Sequence, residues 1–136
     1  MAVVVDTPVV IGFLRGAQPD QGCLTSILRS GEGFLTAVTV FELGIGLRTG
    51  GRQERACLKL IDFLGVLPFD REAAERAAEL ERRLREQGQT IGTRDVFIAG
   101  ICLTHGLPLV TGDTGHFECV PGLRVITPAR WRNDGR

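Results

Sequence analysis

Short apolar runs alternate with amphipathic segments along the chain, and this alternation is its main structural signal. The first run, at residues 3–5, consists of three valines with no polar position between them, which is typical of a strand buried on both faces. The run stops at Asp6, and Thr7 followed by Pro8 favours a helix start, because Thr caps helices and Pro suits the first helical position. The pattern therefore predicts a central strand with a carboxylate at its carboxyl end.

The same kind of apolar run predicts the later strands, and helices fill the intervals between them. The further predicted strands are 34–38, 65–69, 107–111 and 123–126. The predicted helices are 7–15, 20–31, 39–51, 52–64, 70–87 and 93–106, with Thr39, Asp70 and Thr93 as N-caps. Strands that alternate with helices form βαβ units, so we expect an α/β fold around a mainly parallel sheet of four to five short strands.

Composition narrows the class of protein. The chain has 136 residues, of which 43% are hydrophobic. We expect one domain over residues 1–136, because a chain of this length can bury a core that needs no disulfide or metal ion for stability. Sixteen basic side chains balance sixteen acidic ones, so there is no overall attraction to nucleic acid. The four cysteines form no C-x-x-C pair, and no signal peptide or membrane span is evident, so we expect a cytoplasmic protein with no membrane partner.

Four carboxylates lie at predicted strand ends or helix starts. Asp6 ends the first strand, Glu42 opens the helix after the second, Asp95 lies in the first turn of the helix before the fourth, and Asp113 follows the fourth. Parallel strands would bring them to one edge, where clustered carboxylates repel each other unless a cation is bound. Oxygen ligands suit Mg²⁺ or Mn²⁺, which can orient water for attack on a phosphodiester. Each acid also has a structural interpretation, strongest for Glu42, which stands in capping-box spacing to Thr39.

The motifs that carry these acids resemble a known family. They are VVDT at 4–7, TVFEL at 39–43, TRDVFIA at 93–99 and LVTGDTGHF at 109–117, with PGLRV at 121–125 after them. In this order and spacing they resemble PIN-domain proteins, most closely the VapC toxins of bacterial type II toxin–antitoxin systems. The resemblance implies a three-layer α/β/α sandwich and a Mg²⁺- or Mn²⁺-dependent endoribonuclease that cuts tRNA or rRNA.

The resemblance also implies partners and site residues. A VapB-like antitoxin would inhibit the protein, DNA would be contacted only through that antitoxin, and two copies would form a homodimer. The residues that match metal-binding and supporting positions are the acids Asp6, Glu42, Asp95 and Asp113 and the hydroxyl residues Thr7, Thr39 and Thr111. Two positions depart from the common pattern, because Pro8 and Asp113 both stand where Asn is frequent.

Several residues have two interpretations. His116 could act as a general base, but we interpret it as a turn residue that packs or hydrogen-bonds within its loop. His105, at a predicted helix end, is interpreted as a favourable partner of the helix dipole. The arginines near the predicted acidic edge, which could bind RNA phosphates or simply be surface residues, are Arg15, Arg48, Arg52 and Arg94.

The chemistry and the surface also leave alternatives open. A PIN-like module that binds proteins without catalytic turnover is the alternative to a nuclease. The segments 20–31 and 38–64 carry more apolar residues than a small monomer easily buries, which predicts a symmetric dimer and an antitoxin groove nearby.

Overall fold

The apolar runs form one parallel sheet in the computed structural model, which describes residues 1–47 and 50–134. The strands are β1 Val3–Val5, β2 Gly33–Thr36, β3 Gly65–Leu67, β4 Leu109–Val110 and β5 Val125–Ile126. Their order across the sheet is β3-β2-β1-β4-β5, and every neighbouring pair is parallel. The predicted parallel α/β fold is confirmed, and the first strand of the chain is the central one.

Helices cover both faces of this sheet. They are α1 Thr7–Leu14, α2 Asp20–Ser30, α3 Ala37–Gly46, α4 Arg52–Phe63, α5 Arg71–Glu86, α6 Thr93–His105, α7 Thr114–Phe117 and α8 Pro128–Asp134. Val3 and Val5 pack into a first apolar cluster with α1, α2, α4 and α8, whereas Val4 packs into a second with α5, α6 and α7. Burial on both sides explains why β1 has no polar position, and it confirms the three-layer α/β/α arrangement.

Helices α5 and α6 approach each other closely on the second face. A Cβ added to Gly100 would lie 2.8 Å from Ala77 Cβ and 2.9 Å from the carbonyl oxygen of Ala73. Real Cβ atoms do not tolerate these distances, so glycine is required at this contact. The close packing holds α6, whose first turn carries Asp95, against the rest of the fold.

Three predicted N-caps are wrong by one or three residues. The Thr36 side chain, not that of Thr39, caps α3, since Thr36 is extended and its Oγ1 accepts the Thr39 N–H at 3.1 Å. Asp6 rather than Thr7 caps α1, and Gly92 rather than Thr93 precedes α6. The predicted Asp70 cap of α5 is confirmed, because the Asp70 carboxylate accepts the backbone N–H of Ala73 at 3.0 Å.

Two short helices were not predicted. The single-turn helix α7 lies between the predicted strands 107–111 and 123–126, where no helix was predicted, and Phe117 anchors it in the second apolar cluster. The tail contains α8, whose Trp131 is buried in the first cluster. Each of these helices has a single large apolar side chain, which gives no periodicity, so the sequence pattern did not reveal either helix.

Besides Met1, large apolar side chains remain exposed on three elements of the fold. They lie on α3, α4 and β3 and are each at least 41% exposed: Phe41, Ile45, Leu58, Phe63 and Val66. We call these five residues the apolar surface. By contrast, Cys23, Leu24 and Ile27 of α2 are fully buried within the chain, so the predicted surplus in 20–31 is absorbed by the core. Within 1–47 and 50–134, no helix is long and apolar enough to cross a bilayer.

Candidate metal centre

Asp6 lies where β1 ends, and the neighbouring strand holds its carboxylate. The side chain is 3% exposed; Oδ1 accepts the Thr7 N–H at 2.9 Å and Oδ2 accepts the Thr111 hydroxyl at 2.7 Å. Thr111 directly follows β4, and its hydroxyl oxygen also accepts the Asp113 N–H at 3.0 Å. The β1–β4 pairing therefore fixes Asp6 and the loop of Asp113 relative to one another.

The Asp6 carboxyl group carries an electrostatic cost. Its pKa is raised to about 6, chiefly by burial and also by the nearby acids Asp95 and Glu42, although the hydrogen bonds from Thr111 and Thr7 lower it. At neutral pH an ionised Asp6 is thus held in an unfavourable environment. A bound cation would remove that cost.

Glu42 is oriented by two of the predicted supporting threonines. The Thr7 hydroxyl lies 2.6 Å from Glu42 Oε1 and 3.0 Å from Thr39 Oγ1. A hydroxyl has one proton, so donation to the Glu42 carboxylate leaves Thr7 to accept from Thr39. The capping-box interpretation of Glu42 is wrong, because its side chain contacts Thr7 of α1 and Thr36 caps the helix.

Arg94 stands beside Glu42 on the first turn of α6. Its Nη1 is 3.6 Å from Glu42 Oε2, and its guanidinium carbon lies 5.1 Å from the centre of the Phe41 ring. The side chain is about half exposed, so the cation is partly available to a further anion. Of the other predicted arginines, Arg15 and Arg52 are exposed, whereas Arg48 lies outside the described residues.

Asp95 and Asp113 meet at His116. His116 Nδ1 is 3.0 Å from Asp95 Oδ2 and 3.0 Å from Asp113 Oδ2. Burial raises the pKa of Asp95, and the hydrogen bond to Asp95 together with the charge of Asp113 raises the pKa of His116. The interpretation of His116 as a residue that bonds within its loop agrees with its contact to Asp113, whereas the second contact, to Asp95 of helix α6, was not predicted. In the sequence, only the three-residue spacing between Asp113 and His116 indicated that His116 could contact one of the four acids.

The donor set suits a hard divalent cation. One ligand atom each from Asp95, Asp113 and His116 lies within 4.8 Å of the other two. Asp6 and Glu42 lie outside this group of three but close to it, since the charge of Glu42 raises the pKa of both Asp6 and Asp95, and the charge of Asp95 raises that of Asp6. The structure therefore brings all four predicted acids to the carboxyl edge of the sheet, in a composition that fits Mg²⁺ or Mn²⁺.

The sequence is similar to one protein family over most of its length. The family profile described as PIN domain matches residues 3–123. A curated relative named Ribonuclease VapC1, from Rickettsia felis, is 30% identical over 93% of this chain and 96% of its own length. The tRNA(fMet)-specific endonuclease VapC of Shigella flexneri is 34% identical over 72% of this chain and 76% of its own.

A solved structure extends the likeness to three dimensions. VapBC-5 from Mycobacterium tuberculosis, described as a member of the VapBC family of toxin-antitoxin systems, superimposes with a TM-score of 0.72. The two chains are 28% identical, and the match covers 93% of this chain and 98% of the other. Sequence and fold thus agree over nearly the same residues.

Proposed function

The chain belongs to the PIN-domain family, among its VapC ribonucleases, and we propose that it is a toxin that cleaves tRNA or rRNA as a metal-dependent endoribonuclease. The observation that carries this proposal is the buried carboxylate of Asp6, held beside three further acids by the Thr111 hydroxyl and the Thr7 backbone N–H. Such crowding is costly in a purely structural role and useful at a cation site.

The metal site is assigned to the four acids. Asp6, Glu42, Asp95 and Asp113 would hold Mg²⁺ or Mn²⁺, which when bound would lower the pKa of a water so that it loses a proton and becomes a nucleophile toward a phosphodiester. The oxygen-rich set and the raised pKa of Asp6 support this assignment. Thr111, Thr7 and Thr39 fix the orientations of the acids, because their hydroxyl groups connect Asp6 and Glu42 to β4, α1 and α3.

RNA would approach past Arg94. Its half-exposed guanidinium, next to Glu42, can donate two hydrogen bonds to a phosphate at the edge of the acidic cluster. Phe41 and Phe97 line the adjacent cleft together with Arg94. Phe41 is exposed and offers a stacking face to an unpaired base, which is the usual target of sequence-selective RNA recognition.

The apolar surface is proposed as the contact region for protein partners. A VapB-like antitoxin and a second copy of this chain are the expected partners, and DNA would be contacted only through the antitoxin. Support comes from five large apolar side chains left exposed on α3, α4 and β3. Sedimentation velocity at micromolar concentration should give a dimer, and Phe63→Asp should shift it toward monomer. A clean wild-type monomer would contradict the dimer.

Cleavage of total tRNA and rRNA by the purified chain tests the enzymatic proposal. We expect discrete fragments with Mg²⁺ or Mn²⁺ and none with EDTA. Asp6→Ala should remove the fragments, whereas Asp62→Ala, which removes an exposed carboxylate from α4, should not. The same intensity of cleavage by the Asp6 variant would refute the assigned site. No cleavage by folded, antitoxin-free wild type would favour the binding module instead.

A further inference from the structure

The His116 ring contacts carboxylates from two separate parts of the candidate metal centre, Asp95 and Asp113. Resting on the proposed metal-dependent function, we infer that His116 is a nitrogen ligand of the cation, alongside Asp95 and Asp113. The inference adds an imidazole to the oxygen ligands of the four acids. It makes the site selective for Mn²⁺ over Mg²⁺.

The spacing of the three side chains matches that of neighbouring ligands. His116 Nδ1 is 3.0 Å from Asp95 Oδ2 and 3.0 Å from Asp113 Oδ2. Two adjacent ligands of an octahedral ion with bonds of about 2.1 Å are about 3 Å apart. The ring nitrogen therefore stands at ligand spacing from both oxygens, on the side of the ring that faces them.

The fold fixes the ring in this position. Helix α7 begins directly after Asp113, so His116 lies one turn further along and on the same side. Phe117, which is fully buried, anchors the turn in the second apolar cluster. The hydrogen bond from the Asp113 N–H to Thr111 Oγ1, at 3.0 Å, fixes the other end of the loop. His116 is thus presented by a supported turn, although its ring is about half exposed.

An imidazole changes which ion the site prefers. Carboxylates bind both Mg²⁺ and Mn²⁺, whereas a neutral imidazole favours transition metals such as Mn²⁺ and adds little to the affinity for Mg²⁺. A different role would have the opposite effect. If His116 were only a positive counter-charge between Asp95 and Asp113, an incoming cation would have to displace it, and removing the ring would tighten metal binding.

Electron paramagnetic resonance of Mn²⁺ added to the metal-free protein distinguishes these two roles of His116. Electron spin echo modulation from ¹⁴N reports directly on an imidazole bound to Mn²⁺, independently of RNA cleavage. We compare wild type with His116→Ala and with His105→Ala, which removes the only other histidine, an exposed residue at the far end of α6. Wild type and the His105 variant should show the ¹⁴N modulation, and the His116 variant should lose it.

Titration of free Mn²⁺, read from its continuous-wave signal, gives the affinities. His116→Ala should bind Mn²⁺ at least about tenfold more weakly while its affinity for Mg²⁺, measured by competition, changes much less. Circular dichroism confirms that the variant is folded. Bound Mn²⁺ without ¹⁴N modulation in wild type, or tighter Mn²⁺ binding by the variant, would overturn the role of His116 and leave the acidic metal site intact. Failure of folded wild type to bind Mn²⁺ at all would instead overturn the metal site itself.

Discussion

Replacing Asp6 by Asn should stabilise the metal-free protein at neutral pH while abolishing RNA cleavage. The carboxyl group is buried, and its pKa is raised from 3.8 to about 6 in the folded state. Unfolded Asp6 ionises at the lower pKa, so the native state loses stability as the pH rises from about 4 through 6. Asn has nearly the same shape and carries no charge at any pH.

The magnitude follows from the pKa difference. A raise from 3.8 to about 6 is roughly two units, and each unit corresponds to about 1.4 kcal/mol, so ionised Asp6 destabilises the native state by about 3 kcal/mol. In the Asp6→Asn variant, the amide oxygen can still accept the Thr7 N–H, and the amide nitrogen can donate to Thr111, whose hydroxyl proton must find a new acceptor. That rearrangement costs about 1 kcal/mol. The expected net gain is about 2 kcal/mol at pH 7.5.

Urea denaturation in EDTA, at pH 7.5 and again near pH 4, measures this effect. The variant should be more stable than wild type at pH 7.5, and most of the difference should vanish near pH 4, where Asp6 is protonated in the folded state. Mg²⁺ should then reverse the order at pH 7.5, because a ligand at about 100 times its Kd adds about 2.7 kcal/mol to a protein that binds it. Asp62→Asn on the surface of α4 serves as the control and should change stability by less than about 0.5 kcal/mol.

Two results would refute the reasoning. An Asp6→Asn protein that is less stable than wild type in EDTA at pH 7.5 would mean that the ionised carboxylate is well accommodated without a cation. A stability difference that is the same at both pH values would mean that the difference does not arise from the ionisation of Asp6.

Two further substitutions test the packing and the threonine network. Gly100→Ala should destabilise the protein by about 1–3 kcal/mol, measured by urea denaturation, because the new Cβ would lie 2.9 Å from the Ala73 carbonyl oxygen. Gly44→Ala on α3 is the control. Because the space around Gly44 is open, that change should be neutral or stabilising by up to about 1 kcal/mol. Equal effects of the two changes would contradict the close α5–α6 contact. Thr7→Val removes the hydroxyl that donates to Glu42 and should lower the rate of RNA cleavage about tenfold without unfolding the protein. Thr7→Ser keeps the hydroxyl and should retain most of the activity. Equal cleavage rates for the two variants would exclude a role for the hydroxyl.

Local sequence pattern predicted the position of Asp6 because the evidence for it is local. Three β-branched residues, an acid and a Thr-Pro helix start occupy consecutive positions, and alternation with helices makes the sheet parallel. Parallel strands then require that Asp6 and the residues after Leu109–Val110 share an edge. The remaining acids follow from the same rule, which is why simple pattern and resemblance agree on them.

Contacts between distant segments decided the features that were mispredicted. Thr36 and Thr39 are both suitable caps by type, and the backbone of β2, extended through Thr36, selects the first. Glu42 then turns toward Thr7, which is 35 residues away and carries no local signal for Glu42. His116 bonds an acid 21 residues before it. The Glu42 and His116 contacts join segments 35 and 21 residues apart, so a local sequence pattern does not contain both partners of either contact.

The central position of β1 also determines when the proposed metal site can form during synthesis. Asp6 leaves the ribosome early, but its hydrogen-bond partner Thr111 follows 105 residues later, and β4 must be complete before it can pair with β1. A nascent chain that stops before Leu109 lacks Thr111 and Asp113 and should show no cleavage. The proposed metal site is therefore incomplete until Thr111 and Asp113 have left the ribosome, and the nascent chain lacks it throughout the synthesis of the residues that separate them from Asp6.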